Sequence, residues 1–82
     1  MSQFITINSP ISVTSLGFRR GMRSFPRRIE FGGTTYDFID AGLQTTVERG
    51  GRIKRIFTMT DGTHDYRLQN DEAGWTLLGM TR

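Results

Sequence analysis

Three short turn signals constrain this chain more than any other feature of its sequence. They are Gly32-Gly33, Gly50-Gly51 and Asp61-Gly62, and each lies between runs of β-branched and aromatic residues. Gly-Gly and Asp-Gly pairs accept the positive φ angles that two-residue hairpin turns require. Reversals this closely spaced exclude long helices and predict an antiparallel β-meander.

The first turn predicts a specific strand register. If Gly32-Gly33 closes a two-residue hairpin, Ile29 lies opposite Tyr36 and Phe31 lies opposite Thr34. The apolar residues of both strands then fall on one face, and this agreement between turn and pattern supports the register.

The Asp61-Gly62 turn gives a second apolar face by the same count. A two-residue hairpin there sets Phe57 opposite Tyr66 and Met59 opposite His64. Cross-strand aromatic and apolar pairs of this kind stabilise a sheet. The last run, residues 74–80, is apolar on both sides at Leu77 and Leu78, which predicts a strand in a central position or at a corner.

The segment around residues 40–49 has two interpretations. A hairpin at Gly50-Gly51 sets Val47 against Lys54 and Leu43 against Thr58, so the apolar positions of its two strands do not coincide. Alternatively, Asp40 caps one short helix that ends at Gly50. Several residues of the segment have low helix propensity, so a strand is favoured.

The 82 residues form one domain, which we divide into two parts. Residues 1–25 form an N-terminal arm with one or two possible strands and an Arg-rich segment, and residues 26–82 form the β-meander core. The expected fold is all-β, a small antiparallel meander curled into an SH3-like or OB-like barrel, because a flat sheet would leave exposed edges. A curved sheet covered by one short helix is the alternative.

Composition narrows the chemistry. The chain has no cysteine and a single histidine, so we expect no disulfide, no metal site, no cofactor and no enzymatic activity. Absence of disulfides in so small a domain favours the cytoplasm. No signal peptide or long apolar run is visible, and no membrane association is expected.

Positive charge is concentrated towards the N-terminus, although the chain as a whole carries a formal charge of only +3. Arginine binds phosphates and carboxylates, and interleaved aromatic rings can stack on bases. The residues expected to bind nucleic acid or an acidic partner are Arg19, Arg20, Arg23, Arg27, Arg28, Arg49, Arg52, Lys54 and Arg55. The expected stacking residues are Phe18, Phe25 and Tyr36.

Two functions are compatible with these features. The first is a non-enzymatic protein-interaction or adaptor domain, self-associating or bound to a protein partner, whose apolar N-terminal arm completes a partner's sheet by strand addition. The alternative is a nucleic-acid-binding module that uses the Arg-rich segment 18–28 and the basic turn 49–55. We favour the first because it requires fewer features to coincide.

Overall fold

The computed structural model describes residues 3–21 and 24–81, and within these ranges the chain is all-β. The elements follow one another along the chain as strands joined by short turns. Their bounds are β1 (Phe4–Pro10), β2 (Ser12–Gly17), β3 (Phe25–Phe31), β4 (Thr34–Asp37), β5 (Leu43–Arg49), β6 (Arg52–Thr60), β7 (Asp65–Asp71) and β8 (Gly74–Thr81).

The strands form two antiparallel sheets. One has five strands in the order β1-β8-β7-β6-β5, and the other has three in the order β2-β3-β4. Only Ile11 separates β1 from β2, so the chain passes from one sheet into the other there, and the Ile11 N–H donates to the Trp75 carbonyl. A second link follows β4, where the N–H of Phe38 donates to Arg27 in one sheet and that of Ile39 donates to Thr60 in the other.

The core lies between the two sheets and comes mainly from alternate residues of the larger one. Partly buried side chains of β1, β2 and β3 complete it. Removing these groups from water supplies the main favourable term in folding. The fully or nearly fully buried hydrophobic members are Ile29, Phe38, Phe57, Met59, Tyr66, Leu68 and Leu77.

Two hairpin predictions are confirmed. Gly32 and Gly33 have φ angles of 59° and 77°, and Ile29 pairs with Tyr36 as expected. The Gly50-Gly51 turn has φ angles of 58° and 79°, and it closes a regular hairpin between β5 and β6. Positive φ at both central residues defines the type I′ turn, whose twist matches that of the strands. The strand interpretation of 43–49 is therefore correct, and the short helix near 40–49 is wrong.

The register predicted for the Asp61-Gly62 hairpin is wrong by two residues. Phe57 pairs with Leu68, and Met59 pairs with Tyr66. The connection is a four-residue loop, because the Asp61 carboxylate accepts hydrogen bonds from the N–H groups of Thr63 and His64 and so widens the turn. A register shift of two residues leaves every side chain on its expected face of the sheet, so the predicted apolar face is present.

The predicted barrel is not confirmed, because neither sheet closes on itself over the described residues. The all-β class and the small meander are confirmed. β8 lies inside the larger sheet between β1 and β7, and its register shifts so that Leu78 is an extra residue there. The central position expected of this doubly apolar strand is thus confirmed.

In the ranges that the structure describes, no helix has the length and apolar character needed to cross a membrane.

Candidate interaction surface

β5 is the outermost strand of the larger sheet at the end away from β1. It pairs with β6 along its whole length, and among the described residues no other strand pairs with it. Six of its seven residues are exposed, Gln44 being the partly buried exception. An edge strand of this kind presents a row of unpaired backbone groups to solvent.

The type I′ turn determines which backbone groups of β5 face outwards. Because Arg49 and Arg52 flank a two-residue turn, they form a hydrogen-bonded pair, and such pairs alternate along the hairpin. The N–H and C=O groups of Gln44, Thr46 and Glu48 therefore point away from β6. These three residues provide the donors and acceptors that an added strand would use.

Apolar side chains are also exposed on this hairpin. Leu43 is 75% exposed, Val47 is 38% exposed, and Ile53 on the neighbouring strand is 54% exposed. Leu43 and Val47 lie opposite Thr58 and Lys54, on the face of the sheet that is turned away from the core. The apolar residues of the two strands do not lie opposite one another in this hairpin, because Leu43 and Val47 are on a face that does not pack against the core.

The other edges of the two sheets are interrupted or short. Register shifts occur within β1 near Asn8, whose φ is 52°, and β1 ends at Pro10. The pairing of β2 with β3 shifts twice, and β4 has only four residues. Bulges, proline and short length all protect an edge from pairing with another chain. β5 has an unbroken register and contains neither lysine nor proline.

Several of the predicted basic residues are engaged within the chain. Arg28 donates from Nε to Asp37 at 2.6 Å. Arg55 donates to the Ser24 carbonyl at 3.1 Å and to Asn70 Oδ1 at 3.0 Å, and its guanidinium lies 5.1 Å from the centre of the Phe57 ring. The contact with Ser24 joins the end of the Arg-rich segment to the second basic cluster.

The remaining basic residues line separate clefts or project into solvent. Arg19 lines a cleft of about 390 Å³ beside Leu43 and Asp40. Arg27 and Arg28 line another cleft on β3, and Arg49, Arg52 and Lys54 line a third beside the acidic pair Asp71 and Glu72. Arg20 is exposed in a turn, and Arg23 lies outside the described residues. Most of the described basic residues therefore line three different clefts and not one common groove.

Of the three predicted stacking residues, only Phe18 is fully at the surface. Its side chain is 79% exposed and precedes Arg19 and Arg20. Phe25 is partly buried against the core. The Tyr36 ring packs 5.4 Å from that of Tyr66. Phe25 and Tyr36 thus contribute to folding, whichever partner the protein binds.

Asp61 organises the loop between β6 and β7. Its Oδ2 accepts a 2.6 Å hydrogen bond from the Tyr66 hydroxyl, in addition to the two backbone N–H groups bound to Oδ1. Partial burial alone would raise the pKa of Asp61, but these hydrogen bonds outweigh it and lower the pKa below its ordinary value. Burial and the hydrogen bond to Asp61 raise the pKa of Tyr66. All of this chemistry stabilises the loop.

The exposed β5 edge is the candidate site that sequence reasoning missed. Local patterns predict strands but do not say which strand ends a sheet, because that depends on pairing between distant segments. The sequence does contain one signal, since the apolar residues of β5 and β6 fall out of step across the Gly50-Gly51 turn. Such a mismatch is expected of a hairpin that projects beyond the core.

Comparisons of this chain with protein-family models, with curated proteins and with solved structures gave no match.

Proposed function

We propose that this chain is a small, non-enzymatic protein-interaction module that receives an extended partner strand at β5. The observation that supports it is the contrast between β5 and the other edges, since β5 has an unbroken seven-residue register and contains neither lysine nor proline. Strand addition uses backbone hydrogen bonds for affinity and alternate side chains for specificity. The outward N–H and C=O groups of Gln44, Thr46 and Glu48 supply the backbone hydrogen bonds, and the exposed side chains of Leu43 and Val47 supply the specificity.

This proposal and the sequence-based one assign strand addition to different segments of the chain. The N-terminal segment was expected to donate a strand, but residues 4–17 form β1 and β2 and take part in the two sheets. The receiving edge is instead at the opposite end of the larger sheet. The division into an arm and a core, and the cytoplasmic location, stay predictions.

A randomised library of seven-residue peptides tests the proposal, since seven residues match the length of β5. Peptides selected on the wild-type protein should bind Thr46→Pro about tenfold more weakly, because proline removes an outward N–H at the centre of the edge. No hydrogen bond to β6 is lost by this change.

Thr35→Pro is the matched control. The Gly32-Gly33 turn makes Phe31 and Thr34 a hydrogen-bonded pair, so the N–H of Thr35 points away from β3 on the other sheet. This variant should bind the selected peptides as the wild type does. Equal binding by wild type and Thr46→Pro, with Thr46→Pro folded by circular dichroism, would show that peptides do not add at β5.

Nucleic-acid binding is a second candidate, and the observation that favours it is the surface formed by Phe18, Arg19 and Arg20. All three are exposed, and aromatic stacking combined with arginine suits single strands. Fluorescence anisotropy with short single-stranded RNA and DNA should then show affinity that falls steeply with salt and weakens in Phe18→Ala. No binding at low salt would eliminate this candidate.

A further inference from the structure

The β5 edge is complementary to itself, and we infer that its partner is β5 of a second copy of this chain. The inference rests on the proposed strand addition and adds the identity and the register of the partner. Two copies related by a two-fold axis would join their five-stranded sheets into one continuous antiparallel sheet. Hydrogen-bond parity, side-chain pairing and charge all favour this pairing.

Hydrogen-bond parity restricts the register, and full overlap of the two strands then selects it. In an antiparallel pair, residues whose backbone groups face the partner must lie opposite one another. A two-fold axis at Thr46 satisfies this condition, because Thr46 then faces its own copy and Gln44 faces Glu48. All seven residues of β5 overlap, and about six backbone hydrogen bonds form between the copies.

Side chains in this register are compatible on both faces of the joined sheet. On the core-facing side, the Gln44 amide lies opposite the Glu48 carboxylate and can donate to it. On the outer side, Thr45 lies opposite Val47, and Leu43 lies opposite the aliphatic stem of Arg49. No like charges are opposed anywhere along the seven pairs.

Charge also fits beyond the ends of the strand. Arg49, Arg52 and Lys54 lie at the turn end of the hairpin, and antiparallel pairing puts the two turn ends about 20 Å apart. That separation exceeds the screening length at physiological salt. The basic turn ends of the two copies therefore do not repel each other appreciably.

Disulfide trapping tests the register directly, because the chain has no cysteine of its own. In Thr46→Cys the two introduced thiols face each other across the axis, at a Cα separation of about 5.5 Å that a disulfide can span. In the matched control, Thr45→Cys, each thiol faces Val47 of the other copy. Under a mild glutathione redox buffer, Thr46→Cys should form a covalent dimer at least about tenfold faster than Thr45→Cys. Equal rates would overturn the register.

Charge variants test the same pairing without covalent chemistry. Gln44→Glu puts two carboxylates opposite each other at two places in the dimer, whereas Gln44→Lys creates two attractive pairs with Glu48. Sedimentation equilibrium from about 10 μM to about 1 mM should show dissociation constants raised about threefold or more by the first change and lowered by the second. The double variant Gln44→Glu, Glu48→Lys should restore association. Shifts of the same sign in both single variants would contradict the pairing.

The outcomes separate this inference from the function on which it rests. A wild-type chain that stays monomeric throughout that range overturns self-pairing. If library peptides nevertheless bind the wild type, and this binding is lost in Thr46→Pro, the edge receives strands from another protein and the proposed function stands. If neither copies nor peptides bind, both ideas fail.

Discussion

The two edges of the five-stranded sheet, β1 and β5, have the same length but opposite characters. Several contacts hold β1 against the neighbouring strands of its sheet. The Phe4 ring packs on Gly79, and the Arg67 guanidinium lies 5.0 Å from the centre of that ring. Beyond the end of the strand, the Ile11 N–H donates to the Trp75 carbonyl. Among the described residues, no side-chain hydrogen bond, ion pair or ring contact involves a residue of β5. β1 is therefore held to the sheet by side chains as well as by backbone pairing, whereas β5 is held mainly by backbone pairing.

The difference follows from what each strand does next. β1 must leave the sheet after Pro10, because β2 pairs with β3 in the other sheet. The positive φ of Asn8 and the register shift around it bend the strand towards that exit. β5 enters from a loop and turns back at Gly50-Gly51, so nothing forces it out of plane. An edge strand stays regular, and so available for pairing, when nothing in the chain distorts it.

Gly79→Ala should have the largest effect on this comparison. A Cβ at position 79 would overlap the Ile5 carbonyl oxygen and the Phe4 ring, so β1 must shift away from β8. We expect the free energy of unfolding to fall by about 2–3 kcal/mol. Urea titration followed by fluorescence of Trp75, the single tryptophan, measures it at a protein concentration low enough to exclude association.

The control for Gly79→Ala is a change at the open edge. Thr45→Ala alters an exposed β5 residue and should cost less than about 1 kcal/mol. Equal losses from the two substitutions would mean that β1 is no more firmly held than β5, and the contrast between the edges would disappear.

Asp61 tests how much the loop between β6 and β7, which lies between the two edges, contributes to stability. Asp61→Asn removes the charge that accepts hydrogen bonds from Tyr66 and the loop amides, and should lower stability by about 1–2 kcal/mol at pH 7. Because folding lowers the pKa of Asp61, its contribution is present above the ordinary value of 3.8 and is lost as pH falls through the folded-state pKa. The stability gap between wild type and Asp61→Asn should therefore narrow below about pH 4. A gap that stayed constant with pH would assign the loss to packing.

Asn8 offers a smaller test, specific to the bend in β1. Asn8→Val places a β-branched residue at positive φ and should cost about 1 kcal/mol, whereas Asn8→Gly should lie within about 0.5 kcal/mol of the wild type. Thermal unfolding of the two variants, compared at one pH, checks the difference. Equal stability would show that the left-handed backbone at this position does not set the shape of β1.

How far the sequence determines this fold is clearest from the three glycine-containing turns. Two Gly-Gly turns have the predicted registers, because a type I′ turn fixes the pairing on both sides of it. The register predicted from the Asp-Gly turn was wrong, because the Asp61 side chain stabilises a longer loop that begins with the same two residues. The core was still predicted, because a slip of two residues keeps Phe57, Tyr66 and Leu68 on one face.

The candidate site was less accessible to sequence reasoning than the fold. Arginine positions suggested a binding surface, but Arg28 and Arg55 are engaged within the chain, and most of the other described basic residues line separate clefts. Side-chain type alone does not say which cations are already paired. The open edge at β5 depends on the order of strands in the sheet, which local sequence does not reveal. The one local indication of it was the pairing of Val47 with Lys54, which had argued against a hairpin at Gly50-Gly51.

The smallest expected effect concerns β4, the short edge of the other sheet. Arg28 and Asp37 form a close ion pair there, but their side chains are 51% and 64% exposed, so water and salt screen the attraction. Asp37→Asn should change the free energy of unfolding by less than about 0.5 kcal/mol, and raising the salt concentration should remove the difference. It should also leave sedimentation unchanged, because four residues make too short an edge for strand addition. If Asp37→Asn increased association, the ion pair rather than strand length would be what keeps β4 closed, and β5 would lose its distinction as the edge that is open by geometry.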